Sequence, residues 1–158
     1  MNKKLNNDMH IFLIGGNSTI GQAVIKGLIK KYSNHQEIKV SSFARRQSEN
    51  KIFGDVIYVK NYIESILHIK EFKLKNPNLN IIVVISFGVL VEEKNDINFF
   101  NNLTHHLDVN TFQPIKILDE LKPINSYLEV HLISSILADF IRPSLYSYSF
   151  SKSFLIPA

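Results

Sequence analysis

The sequence predicts an α/β fold built on a doubly wound parallel sheet, and three observations carry that expectation. Segments of strand and helix character alternate along the 158 residues, with no repeat, low-complexity stretch or internal linker. The strand segments are continuous apolar runs and not alternations of apolar and polar residues, which is what strands covered on both faces require. A glycine-bearing turn joins the first strand to the first helix. Right-handed crossovers between parallel strands then wind helices onto both faces of the sheet, with a crevice where strand order reverses.

Residues 1–8 are mostly polar and contain no signal-like apolar core, so they are expected to form a flexible tail ahead of one domain over 9–158. The first strand is expected at 10–14, from His10 through Ile14, and the first helix at 20–31. Between them lie Gly15, Gly16, Asn17, Ser18, Thr19, Ile20 and Gly21. Strand, glycine loop and helix in that order form a phosphate-binding arrangement. Glycines let the backbone turn tightly and approach a pyrophosphate, while the free N–H groups and dipole of the helix N-terminus face its negative charge. Such turns also arise for packing reasons, so this one gains meaning only in combination with residues elsewhere in the chain.

The second strand is expected at 38–43 and ends in Ser42, Phe43, Ala44, Arg45 and Arg46, with no carboxylate until Glu49. An acidic residue here would accept hydrogen bonds from the ribose hydroxyls of NAD. Two arginines instead favour the additional phosphate of NADP, because a guanidinium offers a planar fork of donors and can stack on a base. Further strands are expected at 56–59, 81–86 and 127–134, and helices at 62–72, 98–121 and from 146 onward. Pro114 falls inside the long helix and should kink or break it near Asn110.

The C-terminal part supplies a second constellation. Tyr148 and Lys152 are four apart, which on a helix places them on one face about a turn from each other. A nearby ammonium favours the ionised phenol and brings a tyrosine toward use as a general acid or base. Ser135 closes the apolar run of the fifth strand, where its hydroxyl can polarise a carbonyl. Tyr146 has no lysine four residues later. A Tyr and Lys at this spacing are common on helices by chance, so it is their occurrence together with Ser135, Asn110 and the glycine loop that is informative.

Composition removes several alternatives. With 45% hydrophobic residues the chain can bury one core. The absence of cysteine excludes disulfides, thiolate catalysis and cysteine-ligated zinc, and a cytoplasmic location is the default expectation. A net charge of +4 could suggest nucleic acid. However, the lysines lie scattered on helix faces without interleaved aromatics, so no nucleic-acid partner is expected. The six histidines show no His-x-x-x-His pair, and no metal site is expected. The apolar stretch 81–91 falls far short of the ~20 residues of a membrane helix.

The glycine turn and the C-terminal spacing together resemble the short-chain dehydrogenase/reductase family over nearly the whole chain, from His10 to Leu155. The family's Thr-Gly-x-x-x-Gly-x-Gly maps onto Ile14, Gly15 and Gly21, with Thr19 in place of the middle glycine. Its catalytic Asn, Ser, Tyr and Lys map onto Asn110, Ser135, Tyr148 and Lys152. Its Asn-Asn-Ala-Gly motif is present in outline as Ile85, Ser86, Phe87 and Gly88, without the asparagines. The resemblance implies a Rossmann-like sheet, about five strands of which are present. It implies cofactor contacts from Gly15, Asn17, Ser18, Thr19, Ile20, Gly21, Arg45, Arg46, Ser86, Gly88, Tyr148 and Lys152. The adenine contact after the third strand is expected at Asn61 by strand geometry, with Asp55 as the alternative by residue type.

The function expected is NADP-dependent transfer of hydride to or from a small carbonyl or alcohol. Tyr148 acts as the acid, Ser135 polarises the carbonyl, and by the resemblance Lys152 holds ribose hydroxyls and Asn110 a water. The alternative is a truncated or fragment protein that binds dinucleotide without turnover, since the family's sheet continues beyond the Tyr–Lys helix and this sequence stops six residues after Lys152. That expectation includes an unpaired edge at 127–134, a weakened dimer contact and a tendency to associate, with a homo-oligomer as one outcome. An adenosyl-dependent methyltransferase would share the sheet but gives no reason for the Ser135, Tyr148 and Lys152 spacing.

Overall fold

The computed structural model describes residues 8–35, 37–48, 51–90, 99–124, 128–135, 138–139 and 143–155. Most of the expected tail and the expected end positions 98 and 127 lie outside these. Five strands form one sheet: β1 (Met9–Ile14), β2 (Ile38–Ala44), β3 (Asp55–Tyr58), β4 (Asn80–Ile85) and β5 (Leu128–Leu132). Their spatial order is β3-β2-β1-β4-β5, with every pairing parallel. The chain first winds outward from β1 to β3 and then crosses to the other side of β1, so strand order reverses between β1 and β4. The carboxyl ends of those two strands open the crevice such sheets use for ligands.

Helices α1 (Thr19–Lys31), α2 (Ser65–Lys75), α3 (Phe99–Leu107), α4 (Gln113–Leu121) and α5 (Tyr146–Ser153) complete the described elements, with short 3-10 turns at Tyr62–Glu64 and Pro143–Leu145. The continuous apolar strands have a direct explanation. Ile11 and Leu13 of β1 pack with Ile25 and Leu28 of α1 on one face, whereas Phe12 and Ile14 pack with Ile66, Ile69, Ile117 and Leu121 on the other. Both faces of β1 are therefore dry, and all six of its residues are buried.

Element boundaries differ from the expectations in instructive places. The helix expected at 62–72 begins as a 3-10 turn, because the Asn61 side chain caps it by accepting from the Glu64 N–H at 3.2 Å. The long helix is divided. Asp108–Phe112 forms a π-helical segment in which Gln113 N–H donates to the Asp108 carbonyl, five residues back. Pro114 follows at the start of α4. It lacks the N–H that an α-helix would direct at the Asn110 carbonyl, and its ring would crowd that carbonyl, so the widened turn accommodates it. Strand β5 ends at Leu132, short of the expected 134, although Ile133 N–H still donates to Ile85 O at 3.0 Å.

Candidate active site

The turn after β1 is shaped by two close approaches. Gly15 has φ +103°, and a Cβ there would lie 2.5 Å from the Ser86 carbonyl oxygen. Both Gly15 and Gly16 donate their N–H to Phe43 O, at 3.1 and 2.7 Å, which folds the turn over the end of β2. One helical turn later, a Cβ on Gly21 would meet Leu13 and Ser86 at 2.8 Å. Glycine at 21 thus lets α1 sit down on β1 and β4. Ser18 caps α1, its Oγ accepting from Gly21 N–H at 3.1 Å, and it shares a 2.8 Å hydrogen bond with Ser86 Oγ. The helix start is thereby tied to the end of β4. Thr19, where a glycine was expected by the resemblance, is the exposed first residue of α1.

Around this turn lie two adjoining hollows. The larger, of ≈ 590 Å³, runs from Gly15 and Ser18 to Arg45, Arg46, Tyr62 and Phe87. The smaller, of ≈ 190 Å³, is lined by Ile20, Ile133, Ser134, Tyr148 and Lys152. Ser18 and the segment 86–90 line both, so they are compartments of one cleft at the strand-order reversal. Its two ends are chemically distinct. Two guanidinium groups stand at one, and a phenol and an amine at the other.

At the arginine end, Asn17 Nδ2 donates to the Arg46 carbonyl at 3.1 Å, joining the glycine turn to the loop after β2. The Arg45 guanidinium lies 4.8 Å from the centroid of the Tyr62 ring. Asn61 does not line the cleft. Its amide is engaged with Glu64 and it borders a separate hollow beside Ile63 and Leu67. Asp55 begins β3 in register with Ser41 of β2, three residues short of the carboxyl end of β3, and does not line the cleft.

At the other end, Lys152 is only 4% exposed, and burial alone pushes its ammonium below the usual lysine range. Gly88 makes room for it: a Cβ there would lie 2.9 Å from Asn110 Oδ1 and 3.4 Å from Lys152 Nζ. Asn110 is wholly buried. Its Oδ1 accepts from Val89 N–H at 2.8 Å, and its Nδ2 donates to Val89 O at 3.0 Å and to Ser151 Oγ at 3.2 Å. The side chain thus fastens the 86–90 segment to α5 and has its oxygen engaged with backbone. Thr111 Oγ1 donates to Ser151 O, and the buried His106 Nδ1 lies 2.6 Å from Ser147 Oγ. This polar layer between α3 and α5 fixes the helix that carries Tyr148 and Lys152. The His106 ring also meets the Tyr148 ring edge-on at 5.9 Å.

Ser135 is half-buried just beyond β5, and its carbonyl accepts from Ala138 N–H at 2.9 Å. The serine that lines the cleft beside Tyr148 is its neighbour Ser134. Sequence reasoning brought Gly15, Asn17, Ser18, Ile20, Arg45, Arg46, Ser86, Gly88, Tyr148 and Lys152 to the cleft lining. It missed Tyr62, Phe87, Ser134 and the Ser147, Ser151 and His106 layer. Ser147 and Ser151, four apart in α5, were the signal of a buried polar helix face, and both are buried.

No family model and no curated protein matches the chain. Among solved structures it is similar to a short chain dehydrogenase family protein from Francisella tularensis, at 18% identity and a TM-score of 0.63, covering 92% of this chain and 59% of that one. It is also similar to the aldohexose dehydrogenase of Thermoplasma acidophilum, at 18% identity and a TM-score of 0.69 over 94% of this chain and 57% of that one. A third is BdcA, in complex with NADPH, at 14% identity and a TM-score of 0.67 over 93% and 60%. The chain spans 57–60% of the length of these three. What it shares with them is the five-stranded, Rossmann-like fold. Among the described residues, no helix is long and apolar enough to cross a membrane.

Proposed function

We propose that the cleft binds NADP(H), and that Tyr148, Lys152 and Ser135 serve hydride exchange between it and a small carbonyl or alcohol. The observation that carries this reading is the continuity of the cleft, from Arg45 and Arg46 past the start of α1 to Tyr148 and Lys152. A dinucleotide needs that order of groups: cations for a ribose phosphate, helix N–H groups for a pyrophosphate, a proton donor beside the reacting carbon. The lining fits. Side chains are withheld at Gly15 and Gly88, where a Cβ would strike Ser86 and Asn110. The aldohexose dehydrogenase and the NADPH complex among the structural neighbours support the same class.

In this reading Ser18 and the first turn of α1 hold the pyrophosphate, Arg45 and Arg46 the 2′-phosphate end, and Lys152 the ribose beside the nicotinamide. When bound, the dinucleotide supplies or accepts the hydride. The Tyr148 phenol gives its proton to the carbonyl oxygen during reduction and takes it back during oxidation. Ser135 donates a hydrogen bond to the same oxygen. The Lys152 ammonium lowers the cost of the phenolate. Asn110 keeps Val89 and α5 in place and so sets the distance between segment 86–90 and Lys152.

The test is titration of NADPH and NADH against the protein and its Arg45→Ala/Arg46→Ala variant, and then NADPH oxidation with a panel of ketones and aldehydes. Tighter binding of NADPH than of NADH, with that preference lost in the variant, is the expected result. Equal affinity for both in the unmodified protein would remove the NADP assignment. A second reading, binding without turnover, is favoured by one observation: Ser134 and not Ser135 lines the Tyr148 compartment. Binding with no oxidation of NADPH by any carbonyl would select it.

A further inference from the structure

We infer that Tyr62, backed by Phe87, is a positioning residue that holds Arg45 as the stacking platform for the purine of the bound nucleotide, and that the phosphate contact falls to Arg46; this rests on the dinucleotide reading above. The residues form a column. The Phe87 and Tyr62 rings are stacked with centroids 4.4 Å apart and planes 28° apart, and the Arg45 guanidinium carbon lies 4.8 Å from the Tyr62 centroid. Tyr62 and Phe87 are 6% and 8% exposed and belong to the main core, so they cannot easily move. Arg45 is exposed and all three line the larger compartment.

The Tyr62 ring already has two close partners, Phe87 and the Arg45 guanidinium. An incoming base cannot stack on the tyrosine without displacing Arg45. The exposed Arg45 guanidinium is the open end of the column, and planar cations stack well on aromatic faces from either side. Arg45 is therefore held over the ring by its attraction to it before ligand arrives, which reduces the ordering cost of binding. Arg46 has no such partner among the described residues. Its backbone is instead moored by Asn17 to the glycine turn, which leaves its side chain exposed at the mouth of the cleft.

The two roles separate with two fragments of the dinucleotide, 5′-AMP and 2′,5′-ADP, whose binding is measured by calorimetry to the full chain. Tyr62→Leu and Arg45→Lys should each weaken both fragments by about 5-fold, because stacking does not depend on the second phosphate. Tyr62→Phe keeps the ring and should bind as the unmodified protein does. Arg46→Ala should weaken 2′,5′-ADP by about 10-fold or more and leave 5′-AMP within twofold. Should Tyr62→Leu fail to fold by circular dichroism, Arg45→Lys, on an exposed side chain, carries the test alone. Failure of the unmodified protein to bind either fragment would overturn the dinucleotide reading itself. Binding that Tyr62→Leu and Arg45→Lys do not weaken would overturn the column and leave that reading standing. Tighter binding by Tyr62→Leu would mean that the ring fills the place of the base, and an equal loss of both fragments in Arg46→Ala would refute the division between the arginines.

Discussion

The amide of Asn110 grips the backbone of Val89 from both sides, accepting its N–H at 2.8 Å and donating to its carbonyl at 3.0 Å. This is the pairing one strand residue makes with another, supplied here by a side chain from the π-helical segment. It completes the backbone of the cleft wall where β4 has ended. A third bond, to Ser151 Oγ, carries the restraint into α5.

Asn110→Ala should therefore destabilise the fold by about 2–4 kcal/mol, since it leaves backbone groups and a hydroxyl without partners in a buried setting. Asn110→Asp should be nearly as harmful, because it loses both donations and buries a charge. Urea unfolding measures both. Nucleotide affinity should fall with them, since segment 86–90 is no longer fixed. If Asn110→Ala unfolds at the same urea concentration as the parent, the clamp contributes nothing to stability.

The two tyrosines of α5 should separate cleanly. Tyr148 lines the compartment with Lys152, whereas Tyr146 is 40% exposed and packs against Phe99 and Phe150. In any active form of the protein, Tyr148→Phe should lower carbonyl reduction by about 10²–10⁴-fold, the range for loss of a positioned proton donor, while keeping cofactor affinity. Tyr146→Phe should stay within a few fold of the parent. Initial-rate kinetics with NADPH decides it, and reversed effects would mean the register of the motif is wrong.

Lys152 is held below its usual range by burial, and no carboxylate pairs with it among the described residues. A lysine with a lowered folded-state pKa binds protons more weakly in the folded protein than in the unfolded chain, so its charge penalises the fold fully below that lowered pKa. The penalty then fades as pH rises toward 10.5, the ordinary lysine value. Lys152→Met should raise the melting temperature at neutral pH, raise it less at alkaline pH, and abolish turnover. A melting temperature that falls on substitution would show that the amine is stabilised by contacts and not strained.

How much of the molecule was legible in the sequence depends on the range of the interactions involved. The strands were legible because their residues face dry cores on both sides, as Ile11 and Phe12 do. The break near Asn110 was legible because a proline's missing N–H is a local fact. Asn61 misled because capping of a 3-10 turn is equally local and won its side chain, so that its neighbour Tyr62 lines the cleft instead. Tyr62, Phe87 and Arg45 come from three strand ends and meet only when the sheet forms. Likewise His106 and Ser147 are 41 residues apart, and nothing in either neighbourhood announces the other.

His10 makes the core itself sensitive to acid. It lies in the middle strand, 5% exposed, with its ring centroid 4.4 Å from those of both Phe12 and Phe72. Nε2 is 2.9 Å from Ser41 Oγ, and Nδ1 is buried without a partner. Burial, with a smaller contribution from Lys39 and partial opposition from Asp55, lowers its pKa from 6.5 to about 4. The unfolded chain thus takes up a proton that the folded protein refuses between those values. The stability this residue supports is complete above pH 6.5 and is lost as pH falls toward about 4, to a total of about 3 kcal/mol. His10→Phe removes the proton site and keeps an aromatic ring among aromatic neighbours, at the cost of the Ser41 hydrogen bond. Urea midpoints taken between pH 7 and pH 4 should fall less steeply for His10→Phe than for the parent. Parallel curves would mean that the acid sensitivity lies in the carboxylates and not in this buried imidazole.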